Sequence, residues 1–426
     1  MSAVATDDAR IRSLIDAADQ AAAAGQHAEA ARLLAAAEAA APRDPRVLNA
    51  LGMYALKTGE FDAARRRFED AVRLDARAPL LWFHLALARR AQGDAEAEAA
   101  ALEKALELDP YFYLALLQKS TLLEKRGKHR QAAQTYRAFL QCVPPAAQQT
   151  PGLQQGLERA SAALAANSAA LERFLQSRLA ATQAAHRAAS QERFNHCLDV
   201  LLDKRRIYTP QPTFMHFPKL PALEFHERAE FPWLQAFEAA TEQIRGELLQ
   251  CLASDTDGVV PYVEYPSGTP LNQWRELNHS RRWGAYYLIK AGTRLERHLE
   301  RCPKTAALLA AAPLAEVPGE APTAFFSILE PRTRIPPHTG VTNTRLVVHV
   351  PLVIPPGCGF RVGSETREWQ PGQAWVFDDT LEHEAWNTSD QPRAILILDI
   401  WNPFLTPAER ALVSAATAAM NEYYRE

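Results

Sequence analysis

The sequence predicts a multidomain chain, an all-α solenoid followed by a mainly-β double-stranded β-helix, or jelly roll. Three observations carry that expectation. Glycines recur at Gly25, Gly59, Gly93 and Gly127, one every 34 residues, in a first third rich in Ala, Leu, Arg and Glu and nearly free of strand formers. Beyond residue 206 the composition turns to proline and aromatics, and then to short β-branched runs separated by Gly and Pro turns. At 426 residues the chain also exceeds what one ordinary core organises.

The glycine period is shared by Leu34, Phe68, Leu102 and Tyr136, and by Pro42, Ala76, Pro110 and Pro144. The Gly turns one helix into the next, the large apolar residue faces the first helix from the second, and the Pro ends the pair. With Leu51-Gly52, Trp82, Leu85, Ala64, Ala71, Ala105 and Ala132 this resembles the tetratricopeptide (TPR) pattern, as four repeats over residues 11–146. Such a solenoid implies a curved surface that holds a protein or peptide partner; a structural spacer is the alternative. Residues 147–206 lose the period and read as a helical connector, which leaves 207–426 for the second domain, with its jelly-roll core at about 283–403. One helix is expected near residues 231–253.

Charge and cysteine usage narrow the function classes. A net charge of −3 leaves no whole-chain footprint for nucleic acid or an acidic membrane. The five cysteines are scattered without a C-x-x-C pair, which suits the reduced thiols of a cytoplasm. The start MSAVATDDARIRS lacks an apolar leader core, and no apolar run reaches a membrane span, so a cytoplasmic protein is expected.

In the second domain, polar residues interrupt apolar strands at regular places. Alternation over residues 345–354 puts Leu346, Val348, Val350, Leu352 and Ile354 on one face, and Arg345, Val347 and His349 on the other. Phe325, Ser327 and Leu329 share a face in the same way, as do Arg393, Ile395, Ile397, Asp399 and Trp401. An inward Arg implies an anion, because an unpaired buried charge costs several kcal/mol. His338 in RIPPHTG and His383 in DDTLEHEAWN fall at turns 45 positions apart, the arrangement of a metal site in a cupin-like barrel with Fe, Zn or Mn.

PHTG at 337–340, NTRL at 343–346, His349, VFDDTLEHEAWN at 376–387, Arg393 and DIWNP at 399–403 together resemble the aspartyl/asparaginyl β-hydroxylases, Fe(II)- and 2-oxoglutarate-dependent oxygenases. NQWRELNHSRRW at 272–283 and CPKTAALL at 302–309 extend the likeness. The resemblance implies that His338 and His383 hold Fe(II), that Arg393 and Ser327 bind the distal carboxylate of 2-oxoglutarate, and that His349 and Trp283 are further co-substrate contacts. It implies that Asp379 is an acid beside the metal that orients water, and that Arg345 faces the substrate. Gly340 stands where most such oxygenases carry a third, carboxylate ligand, a gap this family shares. Val347 replaces an Arg of the animal members, and it shares the inward face with Arg345.

The expected activity is therefore hydroxylation of an aliphatic carbon with O2, at the β-carbon of an Asp/Asn-type residue in a protein captured by the repeats. Lipid or small-molecule hydroxylation, a non-catalytic partner-binding protein with a sensory barrel, and a Zn or Mn cupin are the alternatives.

Overall fold

Each 34-residue period is long enough for two helices and one tight turn, and that is how it folds. The computed structural model describes residues 2–424. Its first eight helices are α1 Ser2–Ala23, α2 His27–Ala40, α3 Pro45–Lys57, α4 Phe61–Leu74, α5 Pro79–Ala91, α6 Ala95–Leu108, α7 Tyr113–Lys125 and α8 His129–Cys142. The four repeat glycines have φ between 71° and 83°, a left-handed backbone that ends the first helix of each pair and disfavours any side chain. Phe68, Leu102 and Tyr136 are wholly buried and Leu34 nearly so. A Cβ at Gly52 would lie 2.6 Å from the Phe68 ring, so the glycine is what lets α3 and α4 touch. The helices α2, α4, α6 and α8 each stop two residues before Pro42, Ala76, Pro110 and Pro144.

A 35-residue helix, Pro151–Ala185, follows, and its Leu153 and Ala160 pack with Tyr136 and Phe139 of α8. The chain divides into two compact units between residues 195 and 196. No helix among the described residues is long and apolar enough to cross a membrane.

The second unit holds β1 Val260–Pro261, β2 Trp283–Lys290, β3 Thr293–Arg294, β4 Ala324–Leu329, β5 Thr333–His338, β6 Arg345–Val353, β7 Cys358–Val362, β8 Glu365–Arg367, β9 Trp375–Phe377, β10 His383–Asn387 and β11 Arg393–Trp401. They form two antiparallel sheets, one ordered β1-β2-β4-β11-β6-β9 with β3 beside β2, the other β5-β10-β7-β8. The alternation in β6 sorts as expected from Leu346 to Leu352, but Ile354, expected on that same face, packs with Val347 on the other while Val353 takes its place, because the pairing with β11 shifts register at Leu352. Leu346, Val348, Val350 and Leu352 join Leu396 and Leu398 under helices Leu234–Ala239, Thr241–Ser254 and Pro303–Ala311. Two short helices thus stand where one was expected near 231–253. The inward faces of the two sheets meet in a second cluster of Trp283, Leu329, Ile395, Phe360, Val362, Trp369 and Ala385, the packing of a sandwich.

Candidate active site

His338 ends β5 and His383 begins β10, and the two are direct cross-strand partners. The histidines were expected on turns, and the structure corrects this to strand ends. Pro336 and Pro337 disguise β5, yet β5 is an edge strand, where a residue without a donor N–H is tolerated. The two imidazole centroids lie 4.0 Å apart. The His338 Nδ1–H donates to the Pro336 carbonyl at 2.8 Å and that of His383 to the Leu381 carbonyl at 3.0 Å. A carbonyl can only accept, so in the neutral rings both protons sit on Nδ1 and both Nε2 atoms keep a lone pair. Burial lowers the pKa of His338, and that of His383 falls well below 6.5 through burial and its neighbour His338. Among the described residues no three His, Cys, Asp or Glu side chains converge as a metal cluster, so the histidines stand as a pair.

Arg393 opens β11, next to Leu329 of β4, and is 1% exposed. Its Nη1 donates to the carbonyl and Oγ of Ser327, both at 3.3 Å. The guanidinium lies 4.8 Å from the Trp369 ring, and its Nε is buried with no acceptor. Among the described residues no carboxylate pairs with it, and burial, only partly countered by the Cys358 thiol, drops its pKa to about 10. Ser327 Oγ also accepts from the Trp283 indole at 3.1 Å, which leaves the serine O–H free to donate. The Trp369 indole donates to His349 Nδ1 at 3.3 Å. An indole N–H cannot accept, so neutral His349 carries its proton on Nε2; burial and then Arg393 hold its pKa well below 6.5.

These groups line one cavity of about 680 Å³ between the sheets, together with Arg345, Val347, Asp379 and Asp399. A Cβ added at Gly340 would overlap the Asp379 carboxylate, so the acid of one loop fills the space that a side chain two residues after His338 would take. Burial, then Asp378 and Asp399, push the Asp379 carboxyl up to about 8. The anion expected for Arg345 is an internal one, Asp399 on the adjacent strand, whose Oδ2 accepts from Arg345 Nη1 at 3.4 Å. The Asp399 oxygen also accepts from the Thr323 amide at 3.0 Å. Val347 lies opposite Asp399 and Phe377 on its two neighbouring strands.

Sequence reasoning missed Trp369, which supports both Arg393 and His349, and the rings that shield His338. Trp274 meets His338 edge-on at 4.9 Å, and Tyr262 stacks on Trp283 at 4.0 Å. The one signal available was aromatic residues in otherwise turn-like segments, and only the fold gives those a direction.

The fold is a helical-repeat unit followed by a two-sheet unit whose cavity brings His338, His383 and Arg393 together. Residues 238–403 match the family model of the aspartyl/asparaginyl beta-hydroxylases, and 15–64 and 49–111 match that of the tetratricopeptide repeat. The chain is 31% identical over 198 residues to the ornithine lipid ester-linked acyl 2-hydroxylase of Rhizobium tropici, covering 46% of this chain and 66% of that protein. It is 34% identical over 186 residues to the aspartyl/asparaginyl beta-hydroxylase of Mus musculus, covering 43% of this chain and 25% of that one. The match thus spans less than two thirds of either relative. Among solved structures, a crystal structure of MamA aligns with 31% of this chain and 77% of its own at 18% identity and a TM-score of 0.29.

Proposed function

We propose that the second unit is an Fe(II)- and 2-oxoglutarate-dependent dioxygenase that hydroxylates an aliphatic carbon, the β-carbon of an Asp/Asn-type residue in a protein or peptide held by the repeats. The observation that carries this reading is Arg393, a wholly buried guanidinium with an orphaned Nε and, among the described residues, no carboxylate partner. Left alone it costs several kcal/mol, and a ligand carboxylate in fork geometry removes that cost. The fit to iron rests on the donor set, two neutral imidazoles on adjacent strands with both Nε2 lone pairs unclaimed.

His338 and His383 would hold the iron, which would supply dioxygen activation coupled to oxidation of the co-substrate, while the protein supplies position, charge and dryness. Arg393 and the Ser327 O–H bind the distal carboxylate of 2-oxoglutarate. Trp283 holds Ser327 Oγ in place, and His349, neutral, offers its Nε2–H to the same ligand. Asp379 fills the volume beside Gly340 and there orients water in place of a third protein ligand. Phe360, Trp369 and Phe377 exclude bulk water from the far side.

The reading is tested by adding Fe(II) and 2-oxoglutarate to the purified chain and measuring succinate. Proteins that co-purify with a His383→Ala variant are then searched by mass spectrometry for the gain of one oxygen on exposure to wild type. No succinate refutes the oxygenase and leaves a partner-binding protein. Succinate without any oxidised protein favours the second reading, hydroxylation of a lipid acyl chain, to which the apolar wall of Val347, Ile395 and Ile397 and the ornithine-lipid relative point.

A further inference from the structure

We propose that residues 211–217, upstream of the segment matched to the hydroxylase family, form a positioning strap that holds both histidine-bearing loops of the site; this rests on the metal-site reading above. The sequence here is QPTFMHF, preceded by Pro210. The prolines at 210 and 212 lack an N–H, so in an extended chain the donors left on one side are those of Gln211, Thr213, Met215 and Phe217. All four are used, and Phe214 donates as well because the chain bends at 213–214. Gln211 N–H donates to the Thr380 carbonyl at 2.7 Å, Thr213 to the Gly340 carbonyl at 2.9 Å, and Met215 to the Val341 carbonyl at 3.2 Å, with Phe214 sharing that acceptor at 3.0 Å. Phe217 N–H donates to Asn343 Oδ1 at 2.7 Å, and Asn343 Nδ2 returns a bond to the Phe217 carbonyl at 2.8 Å.

The acceptors belong to two different loops. Gly340, Val341 and Asn343 follow His338, and Thr380 precedes His383. Neither loop lies inside a sheet, and the β5–β10 pairing slips in register just past His383, so the strands alone do not set the spacing of the two loops. A direct link between them is the Gly340 N–H to the Asp379 carbonyl at 2.7 Å. The strap grips this link from both ends. Gly340 is thereby bonded through its N–H to one loop and through its carbonyl to the strap, which fixes how closely it approaches the Asp379 carboxylate. Thr213 also lines the cavity and its Oγ1 lies 3.3 Å from the Gly340 carbonyl. These are positioning residues, since their amides reach the site only through the loops.

The test uses the full chain with Gln211→Pro and Thr213→Pro, which each remove one strap donor, against Gln211→Ala and Met215→Ala, which keep every backbone donor. Co(II) is titrated into each metal-free protein and its d–d absorption recorded, with thermal unfolding in parallel. The proline variants are expected to bind Co(II) about ten-fold or more weakly, with a shifted d–d spectrum, and the alanine variants to stay within about two-fold of wild type. Proline variants with wild-type affinity and spectrum overturn the strap, and so do alanine variants that lose as much as the prolines. If the proline variants do not fold, hydrogen exchange on wild type decides. The amides of residues 211, 213, 215 and 217 gain protection when Mn(II) and 2-oxoglutarate are added, and no gain overturns the proposal. A wild-type protein that binds no Co(II) and makes no succinate refutes the metal-site reading instead.

Discussion

Replacing Arg393 by Met separates what the residue costs the fold from what it does for a ligand. Burial lowers the guanidinium from its ordinary range to about 10. At about 1.4 kcal/mol for each tenfold in proton affinity, keeping it charged at neutral pH costs the ligand-free fold about 3 kcal/mol. Because the unfolded chain holds this proton more tightly, the cost eases only as pH rises above about 10. Methionine removes the charge and the two 3.3 Å bonds to Ser327, while the Trp283 indole still holds Ser327 Oγ. The two bonds to Ser327 are long and share one Nη1, so they offset that cost only in part, and the metal-free, ligand-free variant should be no less stable than wild type by denaturant melts. Its response to 2-oxoglutarate should move the other way. Loss of a charged hydrogen-bonded pair worth about 1.5–3 kcal/mol weakens binding by about ten- to a hundred-fold. The stabilisation that 2-oxoglutarate gives wild type, about 2.7 kcal/mol at a hundred times its dissociation constant, should then fall to about 0.4–1.4 kcal/mol at the same concentration. A variant that is less stable without ligand, and just as strongly stabilised by 2-oxoglutarate, would refute the carboxylate assignment.

Gly340→Ala forces the Asp379 carboxylate aside; a displacement on the order of 1 Å should lower succinate release about a hundred-fold, and Gly340→Ala combined with Asp379→Gly should recover metal affinity by Co(II) titration if the clash is the cause. His338→Ala and His383→Ala should each abolish stoichiometric Fe(II) binding with near-UV circular dichroism unchanged. Since His349 and His383 titrate well below 6.5 in the fold, the unfolded chain takes up protons first. Stability should hold above about pH 6.5 and fall below it, measured by urea midpoints across pH, and the two-histidine loss should flatten that slope. Val347→Arg places a second cation beside an Arg345 already paired with Asp399; substrate-dependent succinate release should drop, and a gain on aspartyl peptides would show instead that the pocket seeks a doubly anionic group.

Whatever depends on local periodicity was legible in the residues alone. The 34-residue spacing placed each αL glycine and each wholly buried Phe68, Leu102 and Tyr136, because a helix pair and its turn are decided within one repeat. Period-two alternation likewise sorted Leu346, Val348 and Val350 from Arg345, Val347 and His349, since a strand has only two faces. Tertiary structure decided the partners. Arg345 and Arg393 look alike in sequence, each a cation at the start of an apolar strand. Only the β11–β6 register places Asp399 where Arg345 can reach it, while Arg393 faces Trp369 and Ser327 and no carboxylate. The prolines before His338 concealed β5, because a donorless residue argues against a strand until the strand is known to be an edge. Pro210 and Pro212 looked like a break in the chain for the same reason. Whether a missing N–H marks a loop or the unused side of a strap depends on which acceptors lie alongside, and here those are more than a hundred residues away.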